Sequence, residues 1–561
     1  MMATAARGRS VVLGVDSVDL LLMQRWCAQG LLPFFDSMLK SGSLARLSTV
    51  SRVLQGAVWP SLLSGRSAGQ HGTYFLTQLT NGTYNLDPVQ ADHTNLEPYY
   101  LQLDANGVRC ALVDVPDDMP RKGFKGFQVT DWLTEFEFWH FTARDGAGKR
   151  DISTRFEMMC KTGGYGPTTQ TLDGHRILRQ RLERGIALKG ALTKELLART
   201  DLDHLFVVFG ESHKAGHLLW QYMDPAHPDH VAAEPYLRDA VLGIYQALDR
   251  QLAELAGGLR PDDNLLIFSD HGMQANYRGD HFIVPLLQRL GLCEPDQIPV
   301  LERLSAARRS PGAAQTTSPA AAPRRRGQAT SLLKRVAPEF ATNYLRHKFG
   351  VASRVDWNRT RVFQLPTDRN SYLRVNVRGR EPNGIVARGK EYDDVLTVLE
   401  TELRAMANVE TGRPAVEDVF RIHELFPGPR VDDLPDLAVL WNAEAPINSI
   451  QSPRLGRMDI PANEDRPGNH RAEGFVLARG PAIRPNAGKL HADVLQVPAT
   501  FLALHGVAIP SHFEMGPMYE LLADEFKQRE GRAPAGSTPP DRAHLPAHPV
   551  PAHQATPRPS A

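Results

Sequence analysis

The 561 residues carry 64 Lys and Arg against 63 Asp and Glu, a formal net charge of +1, with 42% hydrophobic and 23% charged positions. That balance is ordinary for a globular chain long enough for one large α/β domain with insertions, and it leaves no electrostatic footprint for nucleic acid or an anionic membrane surface. The four cysteines, Cys27, Cys110, Cys160 and Cys293, are far apart and form no C-x-x-C pair, which argues against a disulfide framework or a thiolate metal site.

The first residues, "MMATAARGRSVVLGVD", hold no long apolar region of a secretory signal. No apolar run approaches the ~20 residues that span a bilayer. The expected protein is soluble and cytoplasmic. "SVVLGVD" (10–16) is a short apolar strand ending in a carboxylate. A helical stretch follows, "LLLMQRWCAQGLLPFFDSMLKSG", with Gly42 as its stop. "GVRCALVDVP" (107–116), "DHLFVVFGE" (203–211) and "DNLLIFSDHGM" (263–273) read as buried strands. A long helical pattern, "PYLRDAVLGIYQALDRQLAEL", separates the last two. Apolar strands alternating with helices predict an α/β fold: a mostly parallel central sheet with helices on both faces. In such sheets ligands bind beyond the carboxyl ends of the strands.

Composition changes at 304–330, "LSAARRSPGAAQTTSPAAAPRRRGQAT", which reads as a disordered insert. Strand patterns at "VDWNRTRVFQLP", "SYLRVNVRG" and "DLAVLWN", with a helix at "EYDDVLTVLETELRAM", predict a small α+β cap subdomain over 331–460. The main α/β domain is expected over 10–303 and again over 461–525, where "HADVLQVPATFLALHGV" (491–507) reads as a closing helix. A disordered tail follows over 526–561, and its His544, His548 and His553 are incidental to the chemistry. The aromatic "TDWLTEFEFWHF" (130–141) suits a pocket wall or a core element equally.

The strand ends carry metal-ligand chemistry. Asp16 closes the first strand, His213 and His217 follow the fourth at i, i+4, Asp270 and His271 close the fifth, and His470 precedes a late apolar strand. Carboxylates and neutral imidazoles ligate Zn, Mn and Fe, and the i, i+4 spacing puts both histidines on one helical face. Taken singly, each has a plainer role: a strand-end Asp is a common helix cap, and a lone His is commonly a satisfied structural residue. Their joint placement at the ends of strands in one sheet is the stronger signal.

"VVLGVD", "VWPSLLSGRSAGQHG", "ESHKAGH", "FSDHGM" and "GNHRAEGFVLARGP" occur in the order that resembles the alkaline phosphatase superfamily, and within it the type I phosphodiesterase and nucleotide pyrophosphatase group. The likeness runs from about residue 10 to about residue 520, apart from the Arg/Pro-rich insert. S-D-H-G alone is moderately specific; five blocks in order are highly specific. The resemblance implies two divalent metal ions above an α/β sheet, zinc first, with manganese or iron as alternatives. One would be held by Asp16, Asp270 and His271, the other by His213, His217 and His470.

Two departures stand out. Family members have Asp, His and His at the second ion, where this chain has three imidazoles. A three-His site leaves more positive charge on the ion and resembles hydrolytic zinc, which lowers the pKa of bound water to roughly 7. Glu211 could restore a negative charge as an extra ligand or a partner of one, or it could be a solvated strand-end residue. The nucleophile is the second departure. The family places Thr or Ser ten residues before a Gly, and counting back from Gly65 reaches Gln55, with Trp59 and His71 holding the register. A neutral amide offers no alkoxide. Ser51 is a displaced alternative, and Ser61 matches a structural position.

The expected function is metal-dependent hydrolysis of a small phosphate ester, diester or pyrophosphate-like, with metal-activated water as nucleophile and Gln55 orienting it. The alternatives are a metal-stabilised binding protein without turnover and, more weakly, a sulfatase or phosphomutase. "LQGAVWPS" lacks the C/S-x-P-x-R of sulfatases, and Gln55 denies the mutase its phosphorylated side chain.

Overall fold

The computed structural model describes residues 8–89, 97–121, 123–130, 132, 142–145, 171–294, 355–367, 370–461 and 466–524. The expected insert at 304–330, the tail, Cys160 and nearly all of the aromatic stretch lie outside them.

Seven strands of the central sheet come first in chain order: β1 (Ser10–Val15), β2 (Ser43–Ser48), β3 (Cys110–Val113), β4 (Phe127–Thr130), β5 (Thr142–Asp145), β6 (His204–Phe209) and β7 (Asn264–Ser269). A short β8 (Gly272–Ala275) follows. Next come β9 (Val362–Leu365), β10 (Ser371–Val375), β11 (Val416–Arg421) and β12 (Leu437–Trp441). The last are β13 (Gly468–Arg471), β14 (Glu473–Arg479) and β15 (Lys489–Asp493). The central sheet has nine strands in the order β15-β2-β14-β7-β1-β6-β3-β4-β5. β7, β1, β6, β3 and β4 run parallel, while β14 and β5 run against them. β1, β6 and β7 are buried at every position, as a sheet covered on both faces requires.

Alternation along β1 sorts the two cores. Val12 joins Phe206, Phe268, Trp59 and Phe501 on one face; Val11, Leu13 and Val15 join Leu182, Leu219, Ile244 and Met23 on the other. The first face is covered by α3 (Val58–Ser64) and α8 (Gln496–Leu504), the second by α1 (Leu20–Ala28), α2 (Pro33–Ser41), α4 (Leu172–Ala198), α5 (Glu211–Met223) and α6 (Ala240–Gly257). A separate antiparallel sheet, β9-β10-β12-β11, packs with α7 (Lys390–Arg404). Among the described residues no helix is long and apolar enough to cross a membrane.

Several expected elements divide. The first helical stretch is two helices, because Gly30 adopts φ 73° and Pro33 restarts the chain as the first residue of α2. The strand read over 263–273 ends at Ser269 and resumes at Gly272, which frees Asp270 and His271 from the ladder. The closing helix begins only at Gln496, after β15.

At the end of the sheet away from Asp16, Ser10 Oγ lies 2.7 Å from His204 Nδ1 and 2.6 Å from His505 Nε2, and Tyr99 Oη lies 2.8 Å from His204 Nε2. Burial, with His505 adding to it, holds His204 well below the ordinary 6.5. Burial, with Arg430 adding to it, takes His71 down to about 3. Both stay neutral in the fold while the unfolded chain takes up their protons below 6.5. Stability is therefore full above that pH and falls as the pH drops from there towards 3. Urea midpoints should decline steadily below about pH 6.5. A midpoint independent of pH over that window would contradict this.

Candidate metal centre

β7, β1 and β6 are neighbours in the sheet, so their carboxyl ends open on one place. β1 delivers Asp16, β7 delivers Asp270 and His271, and β6 runs into α5, whose first turns carry His213 and His217. His470 arrives by another route. β13 pairs antiparallel with β8, setting His470 opposite Met273. That strand pair sits close against α5: a Cβ on Gly468 would lie 2.0 Å from the Gly216 carbonyl oxygen, so only glycine permits the approach. The Gly468 carbonyl in turn accepts from His217 Nδ1 at 2.8 Å.

Asp16, Asp270 and His271 form one donor group, and His213, His217 and His470 another; within each group the donor atoms lie within 4.8 Å of one another. Ser17, held at φ 60°, organises the first. Its single hydroxyl proton goes to Asp16 Oδ1 at 3.0 Å, so at His271 Nδ1, also 3.0 Å away, it accepts. The His271 proton is thereby placed on Nδ1, and Nε2 keeps a lone pair. That lone pair faces Asp270 Oδ2 at 3.2 Å, a buried oxygen that accepts no hydrogen bond. Burial and the Asp16 carboxylate push the Asp270 carboxyl well up, whereas Asp16, raised by burial, is brought below the usual carboxylate range by His213 and His271.

The second group is tighter. His217 has its proton on Nδ1, for Gly468, and His213 Nδ1 lies 3.3 Å from Asp16 Oδ2. The Nε2 atoms of His213 and His217 lie 2.9 Å apart. His470 Nε2 lies 2.9 Å from one and 2.7 Å from the other. Burial, then His271, His217 and His213, hold His470 well below its ordinary range and keep it neutral. Three converging imidazoles, and beside them a buried Asp270 oxygen that accepts no hydrogen bond, are donor sets that fit divalent cations.

The remaining candidates divide. Gln55 is at the centre: its Nε2 lies 3.4 Å from His470 Nε2. Ser51 is fully buried in the turn Val50–Arg52 and bonds Thr49 Oγ1 and, at 3.2 Å, the carbonyl of Ala472 between β13 and β14. Ser61 bonds His71 Nε2 at 3.0 Å. Glu211 joins neither donor group. It opens α5 with its carboxylate 3.4 Å from Lys189 Nζ, which also meets Asp114 Oδ2 at 2.9 Å and donates to the Val208 carbonyl at 2.9 Å. Sequence reasoning missed Ser17 and Lys189. Ser17 was findable as the residue after a strand-end Asp; Lys189 looks like any helical lysine.

The sequence matches the family described as type I phosphodiesterase / nucleotide pyrophosphatase over residues 10–408. Among solved structures, murine ectonucleotide pyrophosphatase / phosphodiesterase 5 is similar at 13% identity and a TM-score of 0.46, over 92% of this chain and 100% of its own. Phosphonoacetate hydrolase from Sinorhizobium meliloti 1021, in complex with phosphonoformate, is similar at 14% identity and a TM-score of 0.48, over 90% and 96%. No curated protein matches the chain.

Proposed function

The chain belongs to the type I phosphodiesterase / nucleotide pyrophosphatase family, and from that premise we propose that it is a two-cation hydrolase of phosphate diesters or pyrophosphate-like esters in which water, rather than a side chain, attacks phosphorus. The observation that carries this is the convergence of three imidazole nitrogens 2.7–2.9 Å apart beside the Asp16–Asp270–His271 group. Imidazoles favour zinc at the three-His group, while the carboxylate-rich group also suits manganese. Such cations would supply Lewis-acid neutralisation of phosphoryl charge and, at a site with an open position, acidify water.

The protein's own residues set the rest. Ser17 fixes the Asp16 and His271 donors, and Asp16 spans both groups through its two oxygens. Gln55 brings an amide and no hydroxyl to the reacting side, and Ser51 is committed to Thr49 and Ala472. Both observations support water as the attacking group. The test is turnover of an aryl phosphodiester by chelator-stripped protein and by the same protein after zinc or manganese is returned. Activity should vanish on stripping and recover on addition. Cation binding with no turnover on a broad panel of phosphate esters would instead favour a binding protein.

A further inference from the structure

We propose that Gln55 is itself a ligand of the cation held by His213, His217 and His470, through its side-chain amide oxygen, so that this site is closed by three imidazoles and one amide. The inference rests on reading the three histidines as a cation site and goes beyond it in assigning a fourth donor.

Distance supports it first. Two donors about 2.0–2.1 Å from one tetrahedral ion lie roughly 3.3–3.4 Å apart. The Gln55 amide is 3.4 Å from His470 Nε2. Hydrogen bonding points the same way. The amide Nε2 donates to the His470 Nε2 lone pair, the pair a cation would take. Once that lone pair is engaged, the N–H has no acceptor there. Meanwhile Gln55 Oε1 is shut off from solvent and accepts no hydrogen bond. Half a turn of the amide exchanges its two ends in nearly the same volume, bringing the orphaned oxygen to the cation.

The backbone holds the amide in place. The Gln55 N–H donates to Tyr372 Oη at 3.0 Å, and the Gly56 N–H donates to the Tyr74 carbonyl at 3.2 Å. A Cβ on Gly56 would come within 2.5 Å of Phe75 Cα, so this loop is packed too closely to swing away. Four protein donors leave no standing open position at that ion, which makes the site a fixed charge, with the exchangeable positions left to the Asp16–Asp270–His271 group.

Cobalt(II) titration into apoprotein tests this, followed by visible absorption and by competition with a chelating indicator. Wild type should bind two equivalents, one giving the intense band of four-coordinate cobalt. Gln55→Leu should lose most of that intensity and bind cobalt at that site ~10–100-fold more weakly. Gln55→Glu, which retains an oxygen, should keep the band; Gln55→Met, with no oxygen, should behave as Gln55→Leu and guards against a packing effect of either variant. Two equivalents in wild type with spectrum and affinity unchanged in both oxygen-free variants would overturn the assignment of Gln55 alone. Failure of wild type to bind cobalt would overturn the cation reading with it.

Discussion

His470→Ala is expected to release one cation and to lower phosphodiester turnover by at least ~10²–10³ while leaving the protein folded. His470 Nε2 lies within 2.9 Å of both other imidazole nitrogens, so its removal opens one side of the group. Removing a residue that merely orients a ligand typically costs 10–100-fold in affinity or activity, and loss of a ligand costs more. The fold should survive because β13 is held by its backbone ladder to β8, and because a neutral buried ring, unlike a charge, leaves no ion behind. Metal analysis, far-UV circular dichroism and steady-state turnover on one preparation measure all three effects. Full occupancy with normal turnover would remove His470 from the site.

The second large effect is on stability. Lys189 is 1% exposed in the middle of α4 and joins Asp114, at the end of β3, to Glu211, the first residue of the ligand-bearing α5. Burial alone would push its ammonium down, but Asp114 and Glu211 hold it above its ordinary range, so it stays charged. Lys189→Met leaves two buried carboxylates facing one another without a cation. Breaking a buried ion pair from one side costs about 3–5 kcal/mol, and the urea midpoint should fall accordingly. Adding Asp114→Asn and Glu211→Gln should recover part of the loss, because the uncompensated charges go with them. A loss below about 1 kcal/mol would mean that the carboxylates find other partners.

How much of this was legible in the sequence follows from the range of the forces involved. Strands buried on both faces announce themselves as unbroken apolar runs, so β1, β6 and β7, and hence the place where their ends meet, could be read directly. The His213–His217 pair could be read from helical spacing, and the ring centroids are 4.7 Å apart. His470 has no local signal. It reaches the others through a long-range strand pair and a glycine-only contact between Gly468 and Gly216, and order along the chain was its only clue. The setting of Glu211 was not legible because a strand-end carboxylate looks available until its partner is known, and that partner, Lys189, sits 22 positions earlier on a helix the periodicity did not announce. Ser51 was considered for its hydroxyl, but sequence distance carries no direction, and the side chain is turned to the Ala472 carbonyl. The break at Asp270 and His271 is likewise a tertiary event, with β8 leaving the central sheet to pair with β13.

Rapid quench of the cation-loaded enzyme during turnover of an aryl phosphodiester, with released phenol and intact protein mass read from the same samples, tests most directly whether this centre hydrolyses phosphate esters by water attack. Product should accumulate while the protein mass stays that of the unmodified chain at every time point, because Gln55 offers no alkoxide and Ser51 is held by Thr49 and Ala472. A phosphoryl adduct that rises and decays with turnover, mapped to Ser51 or any other side chain, or the absence of product from fully loaded protein, would contradict it.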